Sequence, residues 1–310
     1  MGNRKQVLVQ STLSLVMDAL LQDSTGVRSK LQSTWAAGSR RPLLDQIQRC
    51  MHDRGNRCIT WVHGSHGSGK SSVLSQLLPP VSNSPDTIFL SHFFEYLSTS
   101  SSVCVAIASF CVQLWSVALN RDSDAAVEFF RELIPSAEDS SQAVPVTKLR
   151  DTITKLGPDH FSTVFINLIA RLGSNIKRIV IVLDALDEVS DREMNENASE
   201  GADEFTFVPP LDTLEETFFK RISSLDTTLR DMSVSVVISS IQKPTRRLDN
   251  LALVDASSAA FRPSPSDYSS FMRAWMAAEG CNSHPWSQQL GAELQIIMKC
   301  GISGSKPPLF

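Results

Sequence analysis

The chain has 310 residues, of which 42% are hydrophobic and 20% are charged, and its formal net charge is −4 at pH 7. This composition predicts a folded chain with a sizeable hydrophobic core and excludes global disorder. The acidic excess leaves no basic surplus to neutralise a phosphate backbone, so nucleic acid is not an expected partner.

Residues 1–40 are predicted to form a helical lead-in, whose pattern is interrupted at Gly38 and Pro42. Its apolar run lacks a small-residue cleavage site and contains Gln10 and Asp18, which favours an amphipathic helix over a secretory signal. The six cysteines are scattered, and none forms a Cys-x-x-Cys pair. Reduced thiols and a cytoplasmic location are therefore expected.

Beyond the lead-in, short apolar strands alternate with helical patterns. The predicted strands cover residues 58–62, 87–94, 178–184, 234–240 and 251–256. The third of these is apolar on both faces, as in a parallel strand that is covered on two sides. The alternation predicts an α/β protein with a three-layer αβα fold, in which helices flank a mostly parallel five-stranded sheet.

The helices are predicted from apolar residues that recur every three or four positions. They cover residues 43–51, 71–78, 97–120, 161–172 and 211–229, with shorter polar helices at 121–158 and an acidic solvated loop at 188–204. We place the core of this α/β domain at residues 41–262. A partial helical lid is expected at 263–310, opened by a capping box that begins at Ser264.

Residues 97–120 carry no charge, and their length approaches that of a membrane span. The serine-rich entry at 98–102, the polar residues Gln113 and Ser116, and the lack of a flanking positive cluster favour a helix buried against a sheet. No stable membrane span is predicted.

The stretch GSHGSGKSS, from Gly64 to Ser72, directly follows the first predicted strand and fits the phosphate-loop pattern G-x-x-x-x-G-K-S/T. A nucleotide needs backbone N–H groups around its β-phosphate with no Cβ in the way, and glycine allows that wrapping. Lys70 is expected to reach the β- and γ-phosphate oxygens, whereas His66 is expected to face solvent. The predicted nucleotide-binding residues are Gly64, Gly67, Ser68, Gly69, Lys70, Ser71 and Ser72.

A phosphate loop needs an acidic partner at the end of another buried strand, to order Mg²⁺ and its water. The sequence VIVLDALDE supplies one, because Asp184 ends the third predicted strand. We predict that Ser71 and Asp184 are the magnesium ligands. Glu188, and secondarily Asp187, follow one turn later and are the candidate catalytic residues that polarise the attacking water.

At these residues the sequence resembles the STAND class of P-loop ATPases, in particular NACHT domains and the nephrocystin-like NTPase domains of fungal NOD-like receptors. The second motif of that family is an apolar strand followed by Asp, a small residue, an apolar residue and Asp-Glu. Here the motif is VIVLDALDE, with Ala185 as the small residue. The segments FLSHFF and SVVISSIQKP resemble two further strands of such domains, and the resemblance extends from Arg40 to Trp275.

The resemblance implies a signalling switch that holds ADP in a closed form and assembles with ATP, often in intracellular defence. It implies ATP or ADP with Mg²⁺ as cofactors, and self-association or other signalling proteins as partners. The family's sensor strand usually ends Thr-Ser-Arg-Pro, but Ser239 and Ser240 are followed here by Ile241 and Gln242. Slow or residual ATP hydrolysis is therefore expected. Because the sequence ends at KCGISGSKPPLF, a stand-alone module or a fragmentary product is expected rather than a complete receptor.

Two alternatives stay open. The first is another P-loop enzyme, although no Asn-Lys-x-Asp motif for guanine occurs and Arg246 and Arg247 are thin support for a kinase lid. The second is a non-hydrolysing interaction protein that retains the fold. The missing sensor arginine favours this second reading, whereas the intact Lys70, Ser71 and Asp184 oppose it.

Overall fold

The computed structural model describes residues 26–33, 40–53, 57–78, 86–94, 102–121, 146–172, 176–189, 214–221, 232–244 and 251–261. Within these ranges the chain forms a five-stranded sheet in the order β2-β3-β4-β1-β5, and each neighbouring pair of strands is parallel. The strands are β1 (Arg57–His63), β2 (Thr87–Phe93), β3 (Arg178–Asp184), β4 (Ser233–Ser240) and β5 (Leu251–Asp255). The α/β fold with a five-stranded parallel sheet is therefore confirmed.

The strand order brings the carboxyl ends of β1, β3 and β4 to one edge of the sheet. β4 lies between the other two, with His63 opposite Ser240 and Leu183 opposite Ile238. All strands run in the same direction, so the segments that follow them leave from the same edge. The two predicted nucleotide motifs are therefore neighbours in space, although they are far apart in sequence.

Helices lie on both faces of the sheet. They are α1 (residues 26–33), α2 (Arg41–Asp53), α3 (Lys70–Gln76), α4 (Val103–Arg121) and α5 (Val146–Leu172), with a π-helical turn at Glu215–Phe219 that packs on α5. α5 joins the polar helix predicted before residue 158 to the helix predicted at 161–172. The two halves meet at a kink, where Gly157 has a φ of 73° and Pro158 lacks the N–H that a continuous helix needs.

The sheet separates two hydrophobic cores. The first lies between the sheet and α4, α5 and the π-helical turn, where the Phe218 ring centroid is 5.0 Å from that of Phe165 and 5.7 Å from that of Phe110. The second lies against α2 and α3 and includes Leu43, Ile47, Val62, Leu74 and Val180. Burial on both faces explains why β3 and β4 read as nearly continuous apolar runs.

Residues 103–120 of the uncharged stretch lie in α4, which packs on α5 and β2. The side chain of Gln113 pairs with the edge strand: Ser91 N–H donates to its Oε1 at 3.0 Å, and its Nε2 donates to the Ser91 carbonyl oxygen at 2.9 Å. Gln113 thus satisfies the outward-facing backbone of β2 at this residue. None of the helices in the described ranges has the length and apolar character that a membrane crossing requires.

Several predicted features lie outside the described residues. These are residues 1–25, the acidic segment from residue 190, the helix beyond residue 221, the capping box at Ser264 and the lid at 263–310. The domain boundaries therefore stay predictions. The four cysteines within the described ranges are free thiols, of which Cys58 and Cys111 are buried, while Cys50 and Cys104 are half-buried.

Candidate functional site

A loop of residues 64–69 connects β1 to α3 at the carboxyl edge of the sheet. Gly64, Gly67 and Gly69 have positive φ angles of 152°, 71° and 81°, a range that glycine adopts most readily. A Cβ at Gly64 would lie 2.7 Å from Ser257 Oγ, and one at Gly69 would lie 2.9 Å from Arg40 Nε. At both positions the backbone angle favours glycine, and at Gly64 the backbone nitrogen of Ser257, 3.1 Å from such a Cβ, adds a steric limit.

Lys70, the first residue of α3, turns its ammonium back over this loop. Its Nζ donates to the carbonyl oxygens of Gly64 at 2.7 Å and Ser65 at 3.1 Å, and it lies 3.5 Å from Ser68 Oγ. Partial burial lowers the pKa of Lys70, and this effect is opposed by three nearby carboxylates: Asp187, Asp184 and Glu188. The ammonium therefore lies near both the loop and the acidic residues at the end of β3 and just beyond it.

The remaining side chains of the loop differ in exposure. Ser68 is buried, and its N–H donates to the Ser65 carbonyl oxygen at 3.2 Å. Ser72 is half-buried in the first turn of α3. His66 is exposed, as the sequence predicts.

Asp184 is the last residue of β3, and it is only 2% exposed. Its carboxylate accepts hydrogen bonds from the hydroxyls of Ser71 and Ser239. Burial raises the pKa of Asp184 to about 6, although these two hydrogen bonds and the charge of Lys70 act in the opposite direction. The two predicted magnesium ligands, Ser71 and Asp184, are thus in direct contact.

Ser239 holds the acidic motif in place from the end of β4. Its hydroxyl donates to Asp184 Oδ1 at 2.5 Å and accepts from the N–H of Ala185 at 2.8 Å. Ala185 has left-handed backbone angles, with φ 58° and ψ 49°, which a β-branched residue would adopt only at a steric cost. The place of Ser239 at a strand end is visible in the sequence, but nothing in the sequence indicates its contact with Asp184.

Asp187 and Glu188 lie in the short 3₁₀ turn Leu186–Glu188 that follows Ala185. The exposed Asp187 accepts from the N–H of Ile241 through Oδ1 at 3.0 Å. The half-buried Glu188 donates its own N–H to the Ala185 carbonyl oxygen at 2.9 Å. Asp187 therefore has a structural contact, and the catalytic roles of both carboxylates stay predictions.

Ile241 links the two motifs through its backbone. Its N–H donates to Asp187, and its carbonyl oxygen accepts from Gly64 N–H at 3.3 Å. Beside it, the indole N–H of Trp61 donates to Ser240 Oγ at 2.8 Å and to the Gln242 carbonyl oxygen at 3.0 Å. The residues at the end of β4 thus connect the phosphate loop to the 3₁₀ turn Leu186–Glu188, which we term the acidic turn.

The AAA ATPase domain profile matches residues 39–200, just over half of the chain. This chain belongs to the AAA ATPase domain family. The match includes the phosphate loop and the acidic turn, and membership implies that the chain binds a nucleotide. No curated protein is significantly similar to the chain. The STAND or NACHT class is a finer assignment, and it belongs to the proposal below.

In this AAA ATPase domain, residues that the sequence did not single out contact the loop and the end of β1 before it. Ser257, two residues beyond β5, accepts from Ser65 N–H through its Oγ at 2.8 Å. His63 Nδ1 lies 3.9 Å from Asp255 Oδ1; burial lowers the pKa of His63, and the charge of Asp255 opposes that shift. The sequence offered no signal for these contacts, because they depend on β5 pairing with β1.

The donor set of the AAA ATPase domain suits Mg²⁺ held together with a nucleotide. A hydroxyl and a buried carboxylate meet at Ser71 and Asp184, with the ammonium of Lys70 beside them. Mg²⁺ usually takes one or two protein carboxylates and fills its remaining positions with water and substrate phosphates. The residues at this edge of the sheet therefore fit a magnesium–nucleotide complex.

Proposed function

We propose that this chain is a nucleotide-dependent signalling switch of the STAND type, close to NACHT domains, which binds ATP or ADP with Mg²⁺ and hydrolyses ATP slowly. The observation that carries the proposal is the contact between the two motifs: Ser71 of α3 hydrogen-bonds to Asp184 at the end of β3. Parallel α/β sheets bind their ligands at this edge, beyond the carboxyl ends of the strands.

Each of the site residues has a separate role in this proposal. Lys70 contacts the β- and γ-phosphates, since its ammonium already lies over the loop. Ser71 and Asp184 hold Mg²⁺, which neutralises phosphate charge when it is bound. Ser239 orients the Asp184 carboxylate by donating to its Oδ1.

Two features support a slow switch of the STAND type. The acidic turn has the family's pattern, and its small residue, Ala185, occupies a left-handed conformation that suits a small side chain. Ile241 stands where the family carries its sensor arginine, and an apolar side chain cannot stabilise charge on the transferred phosphoryl group. Self-association or another signalling protein is the partner expected of such a switch.

The proposal is tested by calorimetric titration of the purified chain with ATP, ADP and GTP, with and without Mg²⁺, followed by assays of phosphate release. We expect magnesium-dependent binding of ATP and ADP, with turnover below ~1 s⁻¹. A folded chain that binds none of the three nucleotides would contradict the proposal. A preference for GTP would favour a GTPase, and phosphate transfer to a small acceptor would favour a kinase.

Glu188→Gln is expected to lower phosphate release at least about tenfold, which corresponds to ~1.4 kcal/mol in the barrier. The amide cannot take a proton from the attacking water, whereas Asp184 and Ser71 still hold the metal, so nucleotide affinity should stay within a few-fold. Phosphate release at saturating ATP measures the first effect, and titration with ATP and Mg²⁺ measures the second.

Asp187→Asn is the matched control for that experiment. The asparagine oxygen can still accept from Ile241 N–H, so we expect unchanged folding and a smaller loss of hydrolysis than in Glu188→Gln. Equal rates in the wild type and Glu188→Gln would exclude Glu188 from the catalytic role. A larger loss in Asp187→Asn would assign that role to Asp187.

A non-hydrolysing interaction protein is the second candidate. It is favoured by Ile241 at the sensor position and by the use of one Asp187 oxygen to hold the backbone there. Magnesium-dependent nucleotide binding without phosphate release above that of Lys70→Ala would support this candidate.

A further inference from the structure

The segment that follows β5 lies close to both ends of the phosphate loop. At the first end, Ser65 N–H donates to Ser257 Oγ at 2.8 Å, and the hydroxyls of these two serines lie 3.1 Å apart. At the other end, Arg40 packs against Gly69 and donates from its guanidinium to the Phe261 carbonyl oxygen. Residues 255–261, which we term the β5 turn, therefore contact the loop directly at one end and through Arg40 at the other.

The β5 turn is itself ordered by backbone hydrogen bonds. The N–H of Ala256 donates to the His63 carbonyl oxygen at 2.8 Å, which extends the pairing of β5 with β1. Asp255 Oδ1 accepts from Ser257 N–H at 2.9 Å, and the Asp255 carbonyl oxygen accepts from Ser258 N–H at 3.1 Å. The backbone that carries the Ser257 hydroxyl is therefore fixed on both sides of the residue.

The peptide unit between Gly64 and Ser65 is held at both of its polar ends. Its carbonyl oxygen, from Gly64, accepts from Lys70 Nζ at 2.7 Å, while its N–H, from Ser65, donates to Ser257 Oγ at 2.8 Å. A trans peptide is planar, and its N–H and C=O point in opposite directions. An acceptor that fixes the N–H therefore also fixes the direction of the carbonyl oxygen that anchors Lys70.

We propose that Ser257 is a positioning residue for the phosphate loop, because it orients the Gly64–Ser65 peptide and thereby the ammonium of Lys70. Its effect on nucleotide affinity rests on the function proposed above. Without the Ser257 hydroxyl, the Ser65 N–H loses this acceptor, and the peptide is held only through the Gly64 carbonyl oxygen. A lysine that must be ordered when phosphate binds gives weaker binding than one that is already ordered. The effect therefore falls on affinity rather than on the chemical step.

Ser257→Ala in the full chain is expected to raise both Kd and KM for ATP with Mg²⁺ about two- to tenfold, the size of effect that follows when one exposed hydrogen bond is replaced by a bond to water. We expect kcat to stay within a few-fold. Ser258→Ala is the matched control, because it removes the neighbouring hydroxyl, which contacts Ala260 N–H and not the loop. This control should bind nearly as the wild type does.

Hydrogen exchange of the nucleotide-free chain gives a second measurement that does not depend on ATP. Ser257→Ala is expected to speed exchange in residues 64–69 and to leave β3 unchanged, whereas Ser258→Ala should change neither. Unchanged exchange in the loop of Ser257→Ala, or an unchanged Kd where the wild type binds ATP, would overturn the role of Ser257. If the wild type bound no nucleotide, the proposed function would fail, and the exchange measurement would still decide whether Ser257 orders the loop.

Discussion

Lys70→Ala is expected to abolish the stabilisation of this AAA ATPase domain by ATP and Mg²⁺. In the wild type, ligand at about a hundred times its Kd adds ~2.7 kcal/mol to the free energy of unfolding. For a domain near this size, that corresponds to a rise in Tm of about 5–10 °C. The ammonium of Lys70 lies over the loop, bonded to the Gly64 and Ser65 carbonyl oxygens, and alanine leaves no charge there to meet the phosphates.

Lys243→Ala is the charge-matched control, because Lys243 is an exposed lysine just beyond β4 at the same edge of the sheet. It should retain the full rise in Tm with ATP and Mg²⁺. Differential scanning fluorimetry with and without the ligands measures both variants. A rise in Lys70→Ala as large as in the wild type would show that the nucleotide binds elsewhere than at the phosphate loop.

Asp184→Asn is expected to have opposite effects on stability and on nucleotide binding. Burial raises the pKa of Asp184 from its ordinary 3.8 to about 6, so the ionised carboxylate destabilises the fold at neutral pH. Asparagine has no charge to bury and can still accept the hydrogen bond from Ser239. The variant should therefore be more stable by roughly 1–3 kcal/mol in the absence of ligands, yet lose magnesium-dependent binding of ATP.

The same shift fixes the pH dependence of this stability difference. A carboxyl whose folded-state pKa is raised contributes stability below pH 3.8, and that contribution is lost as the pH rises through about 6. The stability advantage of Asp184→Asn should therefore be small near pH 4 and reach its full size above pH 6. Urea unfolding of both proteins across this range measures it.

Asp187→Asn is the control for the pH series, because it removes an exposed carboxylate from the same turn. At neutral pH its effect on stability should be smaller than that of Asp184→Asn, because an exposed carboxylate keeps its contact with water in the folded chain. An Asp184→Asn variant that is less stable than the wild type at neutral pH would show that the charge is compensated within the fold. Retained magnesium-dependent binding in that variant would exclude Asp184 as a metal ligand.

The sheet could be predicted from the sequence because its strands are buried on both faces and therefore read as apolar runs between breakers. Strand β3, Arg178–Asp184, has its predicted bounds, and Asp184 lies at its end as expected. The contact between Ser71 and Asp184 followed from one general property, since the ends of parallel strands meet at one edge. The pattern of apolar runs and breakers along the sequence was sufficient to predict these features.

The supporting contacts could not be predicted in this way, because they depend on which strands are neighbours. Ser239 reaches Asp184 only because β4 lies beside β3, and Ser257 reaches Ser65 only because β5 lies beside β1. Neither serine has a distinctive spacing from the residue that it contacts. The continuation of α5 across the kink at Gly157 was also not predicted, because a glycine before a proline is typical of a helix end.

During synthesis, the site cannot assemble until β4 has left the ribosome. The phosphate loop and Asp184 are made first, yet β1 and β3 do not pair with each other, because β4 stands between them. A nascent chain that has not reached Ser233 therefore exposes the edges of both strands, and such edges are prone to pair with other chains. Translation thus passes through an interval in which both nucleotide motifs have been made but the site has not formed.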